Sequence, residues 1–319
     1  KPSYVHGAST IPLTFETIGE RFQRIVRDVP DKTVFIFAHQ NIRKTYEQFY
    51  EDVRRLARVF VDLGVSRGHR VGVWGPNTYE WVTCQFATAT AGCIQVNINP
   101  AYQSEELKYS LEKVGVKILI APKSFKKSEY YKIMQKIIPS ISSKKKGVGV
   151  VEDRSLPDLR HIIIFGEEEN HQGVWKYEEI VESVSWSSDG RLREMEKSVR
   201  PDDPVNIQYT SGTTGYPKAA TLTHHALLNN SYLQGVRSKY NEGDHIICIP
   251  NPLYHVFGST MGVLNAVLHK QTCVFPSAGF DPLRTLEVVA AERCTSLYGT
   301  PTMFVDMLSK LERNAITFI

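Results

Sequence analysis

The chain has no apolar run long enough to span a bilayer, and no signal segment is visible at its start. It is poor in cysteine. Cys84, Cys93, Cys248, Cys273 and Cys294 are five in number, odd and widely scattered, with no CxxC spacing. Neither a zinc site nor a disulfide framework is indicated, and a reducing compartment is the simpler setting. Strong charge of one sign is also missing. Lys and Arg number 38 against 34 Asp and Glu, a net charge of +4 that gives no footprint for nucleic acid. The local run Lys144-Lys145-Lys146 lies in a Ser/Gly-rich stretch and reads as a solvated loop. No repeat of fixed short period occurs. What is present is 42% hydrophobic and 23% charged residues over 319 positions, enough for a substantial core in one large or two ordinary domains.

Helical and strand periods alternate almost from end to end. Phe15, Ile18, Phe22, Ile25, Val26 and Val29 share a helical face that Pro30 closes. Thr33 to Ala38 and Ile42 to Thr45 read as strands paired across Gln40-Asn41. Thr45 and Gln48 form a capping box ahead of a helix with Phe49, Val53, Leu56, Phe60 and Leu63 on its apolar face. A strand at 70–74, a helix at 78–91, a strand at 93–96, a helix capped by Ser104 and a strand at 117–121 follow. That β-α-β-α-β order predicts a parallel sheet covered by helices. Residues 139–157 read as a long flexible loop, and 183–191 as polar. A second β/α series starts near Pro204, so the expected division is 1–200 for the first subdomain and 201–319 for the second. The chain begins at Lys1 rather than Met and reaches Ile319 on the approach to a further strand, so it is expected to be trimmed and incomplete at its C-terminus.

The richest segment runs Thr210-Ser211-Gly212-Thr213-Thr214-Gly215-Tyr216-Pro217-Lys218, directly after the strand 205–209. Two glycines let backbone amides turn toward an anion, hydroxyls add short donors, and Lys218 adds a full charge. Pro217 stiffens the exit. The segment predicts a phosphate-gripping loop at the carboxyl end of a strand, where open α/β sheets bind ligands. It is not a Walker A loop, because Lys218 leads into Ala219-Ala220 rather than Ser/Thr and a helix. His224-His225 follow a Thr cap, lack partners at ligand spacing, and are expected to face solvent and a neighbouring loop rather than hold a metal. Asp202-Asp203 sit in a turn between prolines, not in an acid/base pair. Trp74 and Trp81 are expected in the core.

The residues 209–218 resemble the phosphate-binding signature of the adenylate-forming enzymes, which include AMP-forming acyl-CoA synthetases, firefly luciferase and peptide-synthetase adenylation domains. Asn251-Pro252-Leu253-Tyr254-His255-Val256-Phe257-Gly258 resembles that family's aromatic-histidine segment, and Tyr298-Gly299-Thr300-Pro301 a later wall. Trp74-Gly75-Pro76-Asn77 with Glu80-Trp81, and residues 96–102, resemble its amino-terminal part. The wording is most similar to the mitochondrial medium-chain acyl-CoA ligases, from about Thr14 onward. The resemblance implies an α/β fold: the large N-terminal domain of the family, with two parallel-type β/α sheet subdomains, truncated here.

It further implies a ligase that binds ATP with Mg2+, a fatty acid and coenzyme A, in the mitochondrial matrix. Thr210 to Lys218 would hold ATP, and Tyr254, His255, Phe257, Gly258, Tyr298, Gly299 and Thr300 would line the substrate pocket. No catalytic set would be complete, because the magnesium acid, the ribose aspartate and the adenylation lysine would all fall beyond Ile319. Ala219 stands where the family usually has glycine, which would strain a backbone that needs positive φ. An impaired nucleotide-binding relative and a luciferase-like adenylating oxygenase are the alternative readings.

Overall fold

The computed structural model describes residues 3, 4, 7, 9–210 and 216–314, with side chains described as far as 311. Along the chain the first elements are α1 (Ile18–Asp28), β1 (Thr33–Phe37), β2 (Ile42–Thr45), α2 (Tyr46–Asp62), β3 (Arg70–Trp74) and α3 (Tyr79–Thr90). Then come β4 (Ile94–Ile98), α4 (Ser104–Val114), β5 (Val116–Pro122), β6 (Ser124–Phe125), β7 (Ser128–Glu129) and α5 (Tyr130–Ile137). The middle holds β8 (His161–Phe165), β9 (Trp175–Lys176), α6 (Tyr177–Ser183) and α7 (Asp189–Ser198). The rest are β10 (Pro204–Thr210), β11 (Lys218–Thr223), α8 (His224–Arg237), β12 (Ile246–Cys248), α9 (Asn265–Leu268), β13 (Thr272–Phe275), α10 (Pro282–Ala291), β14 (Ser296–Leu297) and α11 (Pro301–Asn314).

Among the described residues the strands form two large sheets and a separate antiparallel hairpin, β6–β7. The larger sheet has the order β11-β10-β4-β3-β5-β8-β9 and the smaller β14-β12-β13-β1-β2. Pairing in these two is parallel except for the outer hairpins β10–β11 and β1–β2. The α/β class and the parallel sheets expected from the sequence are therefore present. A cut at residue 200 does not separate the sheets. β1 pairs with β13, and β10 pairs with β4, so each sheet takes strands from both ends of the chain. β10, the strand that enters the expected phosphate loop, belongs to the larger sheet. β10 adds to the sheet beside β4 in parallel register and carries β11 with it as the edge strand, a pairing between residues more than 100 positions apart that local sequence does not encode.

Local sequence explains most elements. Thr17 caps α1 and Thr45 caps α2, each in a complete capping box, and Gly115 ends α4 in the left-handed conformation at φ 60°. The cap of α4 is Gln103, one residue before the expected Ser104. Ile18, Phe22, Ile25 and Val26 are buried as expected, whereas Phe15 precedes α1 and is exposed. The face of α2 packs Phe49 against Phe22, Phe35, Tyr79 and Phe86 between the sheets. α1, α2, α3, α8 and α9 all contribute to that central core, while α4 and α5 cover the opposite face of the larger sheet. Trp74 and Trp81 are buried, as expected. Among the described residues no helix is long and apolar enough to cross a membrane.

Residues 139–157 are not the long flexible loop expected. A 3-10 turn at Pro139–Ser143 and isolated bridges from Lys146 to Gln172 and Val150 to His161 hold the segment, and Ile141, Val151 and Leu156 are buried under the sheet. Its polar composition masked three well-spaced apolar anchors. The strand expected after Asn314 lies outside the described residues.

His224 also departs from expectation. It opens α8 fully buried, and its Nδ1 accepts the Ile18 N–H at 3.1 Å, tying α8 to α1. Burial holds its pKa down to about 4, opposed by the Asp203 charge. The unfolded chain, with an ordinary imidazole, binds the proton first. Stability therefore falls as pH drops from about 6.5 toward 4, by about 3 kcal/mol in all, and levels off below. Urea unfolding of the protein and its His224→Gln variant across that range checks this: the variant lacks this part of the slope.

Candidate active site at the carboxyl ends of the strands

β10 and β11 form an antiparallel hairpin in which Thr210 faces Lys218. The expected phosphate-loop residues Ser211, Gly212, Thr213, Thr214 and Gly215 lie outside the described residues. The flanks are well placed. The Tyr209 hydroxyl donates to the Ser110 carbonyl at 2.6 Å, and the Tyr109 hydroxyl donates to that of Pro217 at 3.2 Å. The rings of Tyr109 and Tyr216 stack at 4.8 Å. Both ends of the loop are thus fastened to α4. Lys218 is exposed at the mouth and meets no carboxylate among the described residues, so its charge remains available to an anion. Ala219 pairs with Tyr209 inside β11 and is absent from the positive-φ residues, so alanine carries no strain there.

β12 delivers the second wall. His255 is exposed; its Nδ1 accepts the Phe257 N–H at 3.2 Å and its carbonyl accepts the Ser259 N–H at 3.2 Å. A π-helical segment, Phe257–Leu264, starts there, a geometry frequent at functional sites. A Cβ on Gly258 would lie 2.3 Å from the Pro252 carbonyl oxygen, so only glycine allows this close approach. The Phe257 ring meets Tyr298 edge-on at 5.5 Å. Asn265 Nδ2 and Gln234 Nε2 donate to the Tyr298 hydroxyl at 3.3 and 3.4 Å. Gly299 lies against the Phe304 ring, and Thr300 is exposed at the start of α11. Phe257 and Tyr298 are therefore brought together.

Tyr254 points elsewhere, into a slot of about 200 Å3 between the two sheets. Its walls come from the carboxyl ends of β3, β4, β5, β12 and β13, including Pro76, Asn99, Phe125, Lys126 and Phe280. The connections after β3 and after its neighbours β4 and β5 lead to opposite faces of the sheet, which makes this the topological switch point. Burial, then Glu106 and the Tyr254 phenol, raise the pKa of Tyr102, and Tyr102 in turn acts on Tyr209.

Asn77 joins the sheets beside this slot. Its Nδ2 donates to the Asn251 carbonyl at 2.9 Å, its Oδ1 accepts the Leu253 N–H at 2.8 Å, and its own N–H donates to the Ala278 carbonyl at 2.9 Å. The sequence reading found Asn77 only within a resembling segment and missed Phe125, Lys126 and Phe280. The tight β6–β7 turn that presents the first two, with Lys126 at φ 55°, carries no glycine or proline to announce it.

The pattern of the family described as AMP-binding enzyme matches residues 22–317. The chain belongs to this family. Among curated relatives, a mitochondrial medium-chain acyl-CoA ligase ACSF2 of Danio rerio is 41% identical over 309 residues, 97% of this chain and 50% of the relative. The Homo sapiens protein of the same name is 38% identical over 312 residues, with the same shares. The chain spans about half the length of these relatives. In fold it is similar to a long-chain-fatty-acid-CoA ligase of Archaeoglobus fulgidus, with a TM-score of 0.75 at 21% identity over 98% of this chain and 57% of that one. It is also similar to an anthranilate CoA ligase in complex with anthranoyl-AMP, with a TM-score of 0.73 at 20% identity, covering 92% and 51%.

Two substitutions test this geometry. Asn77→Ala leaves the Leu253 N–H and the Asn251 carbonyl buried without their partner and lowers unfolding free energy by about 2–3 kcal/mol in urea titration. Ala219→Gly, which restores the family residue, brings no gain and costs about 0.5–1 kcal/mol in the same measurement, because glycine loosens an extended strand.

Proposed function

We propose that this chain is part of an AMP-forming acyl-CoA ligase that activates a medium-chain fatty acid in the mitochondrial matrix. The observation that carries the reading is the gathering of an uncompensated Lys218, the aromatic-histidine wall and an apolar slot at one edge of a parallel sheet. The chain length of the acid and the location rest on the names of the curated relatives.

In the first half-reaction a carboxylate oxygen attacks the α-phosphorus of ATP. The bond to the bridging oxygen breaks, and pyrophosphate leaves with the electron pair. The chemical difficulty is bringing one anion onto another. Thr210 to Lys218 lower that barrier by donors and charge placed around the leaving phosphates before reaction. Tyr254 on the slot, and Phe257 with Tyr298 apart from it, are assigned to the acyl side together with His255, Gly258, Gly299 and Thr300. In the second half-reaction the sulfur of coenzyme A attacks the acyl carbon, its proton is lost, and AMP departs. Among the described residues no three His, Cys, Asp or Glu side chains are gathered as metal ligands. Magnesium, when it arrives with the nucleotide, supplies counter-charge to the phosphates, and no residue here is assigned to it.

The reading as an impaired relative rested on Ala219, which sits without strain in β11 and gives it no support. Fatty-acid-dependent ATP–pyrophosphate exchange by the full-length protein is the test. Lys218→Ala is expected to lower exchange about 100-fold, the usual effect of losing one aligned donor. Unchanged exchange in that variant removes the assignment of the loop. Oxygen consumption or light emission would instead favour the oxygenase.

A further inference from the structure

At the amino ends of the larger sheet's strands, opposite the phosphate loop, lies a second polar cavity. It has a volume of about 230 Å3 and is lined by His69, Arg70, Gly115, Lys117, Asp158 and Arg160. β3, β5 and β8 run parallel, so Arg70, Lys117 and Arg160 all sit at one edge. Strand length separates that edge from the loop by about 17 Å. Three features make this a built site rather than scattered surface charge.

The first is a β-bulge. Arg70 faces Val116 while Val71 faces Ile118, so Lys117 is the extra residue, and its side chain leaves the regular alternation. The second is Gly115, whose φ of 60° and missing side chain make room for a guanidinium. A Cβ there would lie 2.5 Å from Arg70 Nη2 and 2.9 Å from Asp158 Oδ2. The third is incomplete compensation. None of Arg70, Lys117 and Arg160 is in an ion pair among the described residues. Arg70 Nε and Nη1 donate to the carbonyls of Val114 and Gly68, Lys117 Nζ to that of Gly64, and Arg160 Nη1 to that of Leu159. These bonds fix the side chains, two of them at the carboxyl ends of α4 and α2, yet leave Arg70 Nη2, most of the Arg160 fork and two Lys117 donors unused. Asp158 offsets only one of the three charges. The surplus is felt locally: after burial, Lys117 and Arg70 lower the pKa of His69, and Lys117 and Arg160 also lower that of His161.

We propose that this cavity is an accessory binding site for a small multivalent oxyanion of the phosphate or pyrophosphate class, separate from the nucleotide loop. Two guanidinium forks and an ammonium match several oxygens on one phosphorus group, as planar forks and point charges do elsewhere. Asp158 at the rim selects against bulkier anions that cannot avoid it.

Hydrogen exchange of the full-length protein during titration with inorganic pyrophosphate tests the proposal. Saturable protection is expected in the segments 66–70 and 114–118. It should persist in Lys218→Ala, and its midpoint should rise at least about tenfold in Lys117→Ala/Arg160→Ala, equivalent to about 1.4 kcal/mol. Arg160→Ala alone, at an exposed position, shifts the midpoint in the same direction if the double variant proves unstable. No protection at these segments overturns the site, as does protection unaltered by the double and single variants. Protection that vanishes in Lys218→Ala also overturns it, because the signal would then come from the loop.

Discussion

The buried amide of Asn77 is the constraint on which the site depends. The two large sheets pack on helices that lie between them through apolar side chains, and apolar packing alone tolerates sliding and rotation. Asn77 removes that freedom at the edge where it matters. With one side chain and one backbone N–H it completes hydrogen bonds to Asn251, Leu253 and Ala278, segments that follow β12 and β13. Directional bonds in a buried place are expensive to leave unmade, so they select one relation between the sheets. Tyr254, His255 and Phe257 inherit their positions from that relation.

The parallel arrangement then concentrates chemistry. All strands of the larger sheet's interior end at the same edge, so Pro76, Asn99, Phe125 and Lys126 converge on the slot without being close in sequence. The hairpin β10–β11 brings the loop and Lys218 to that edge as well. The same geometry collects the amino ends on the opposite side, where Arg70, Lys117 and Arg160 meet. One sheet thus carries cationic side chains at both edges with different neighbours: aromatic rings at one, the carbonyls of Val114, Gly68, Gly64 and Leu159 at the other.

Legibility followed the range of each cause. The capping box at Thr45 and the apolar stripe of α2 are settled within a few residues and could be read directly, whereas the equally local box at Thr17 was not. The assignment of strands to sheets could not, because β1 and β13 are far apart in the chain and both are simply apolar. The ordered course of 139–157 was hidden for a related reason: Ile141, Val151 and Leu156 are too widely spaced to show a period. His224 was misjudged because its neighbours are polar, while its burial depends on α1 packing across it. Phe125 and Lys126 were invisible because a short turn without glycine or proline presents them to the slot.

Sequence by itself determined the local grammar: where helices start and stop, that strands alternate with them, and that a hydroxyl- and glycine-rich segment closing on Lys218 follows a strand. These follow from backbone preferences and short-range hydrogen bonding, which act within a turn or two of chain. Tertiary structure decided which strands share a sheet, that Ala219 lies in extended backbone, that Tyr254 faces the slot while Phe257 faces Tyr298, and that Lys117 is turned out by a bulge toward Arg70 and Arg160. Those outcomes depend on contacts between residues tens to hundreds of positions apart, where only the packing of the whole chain selects a register.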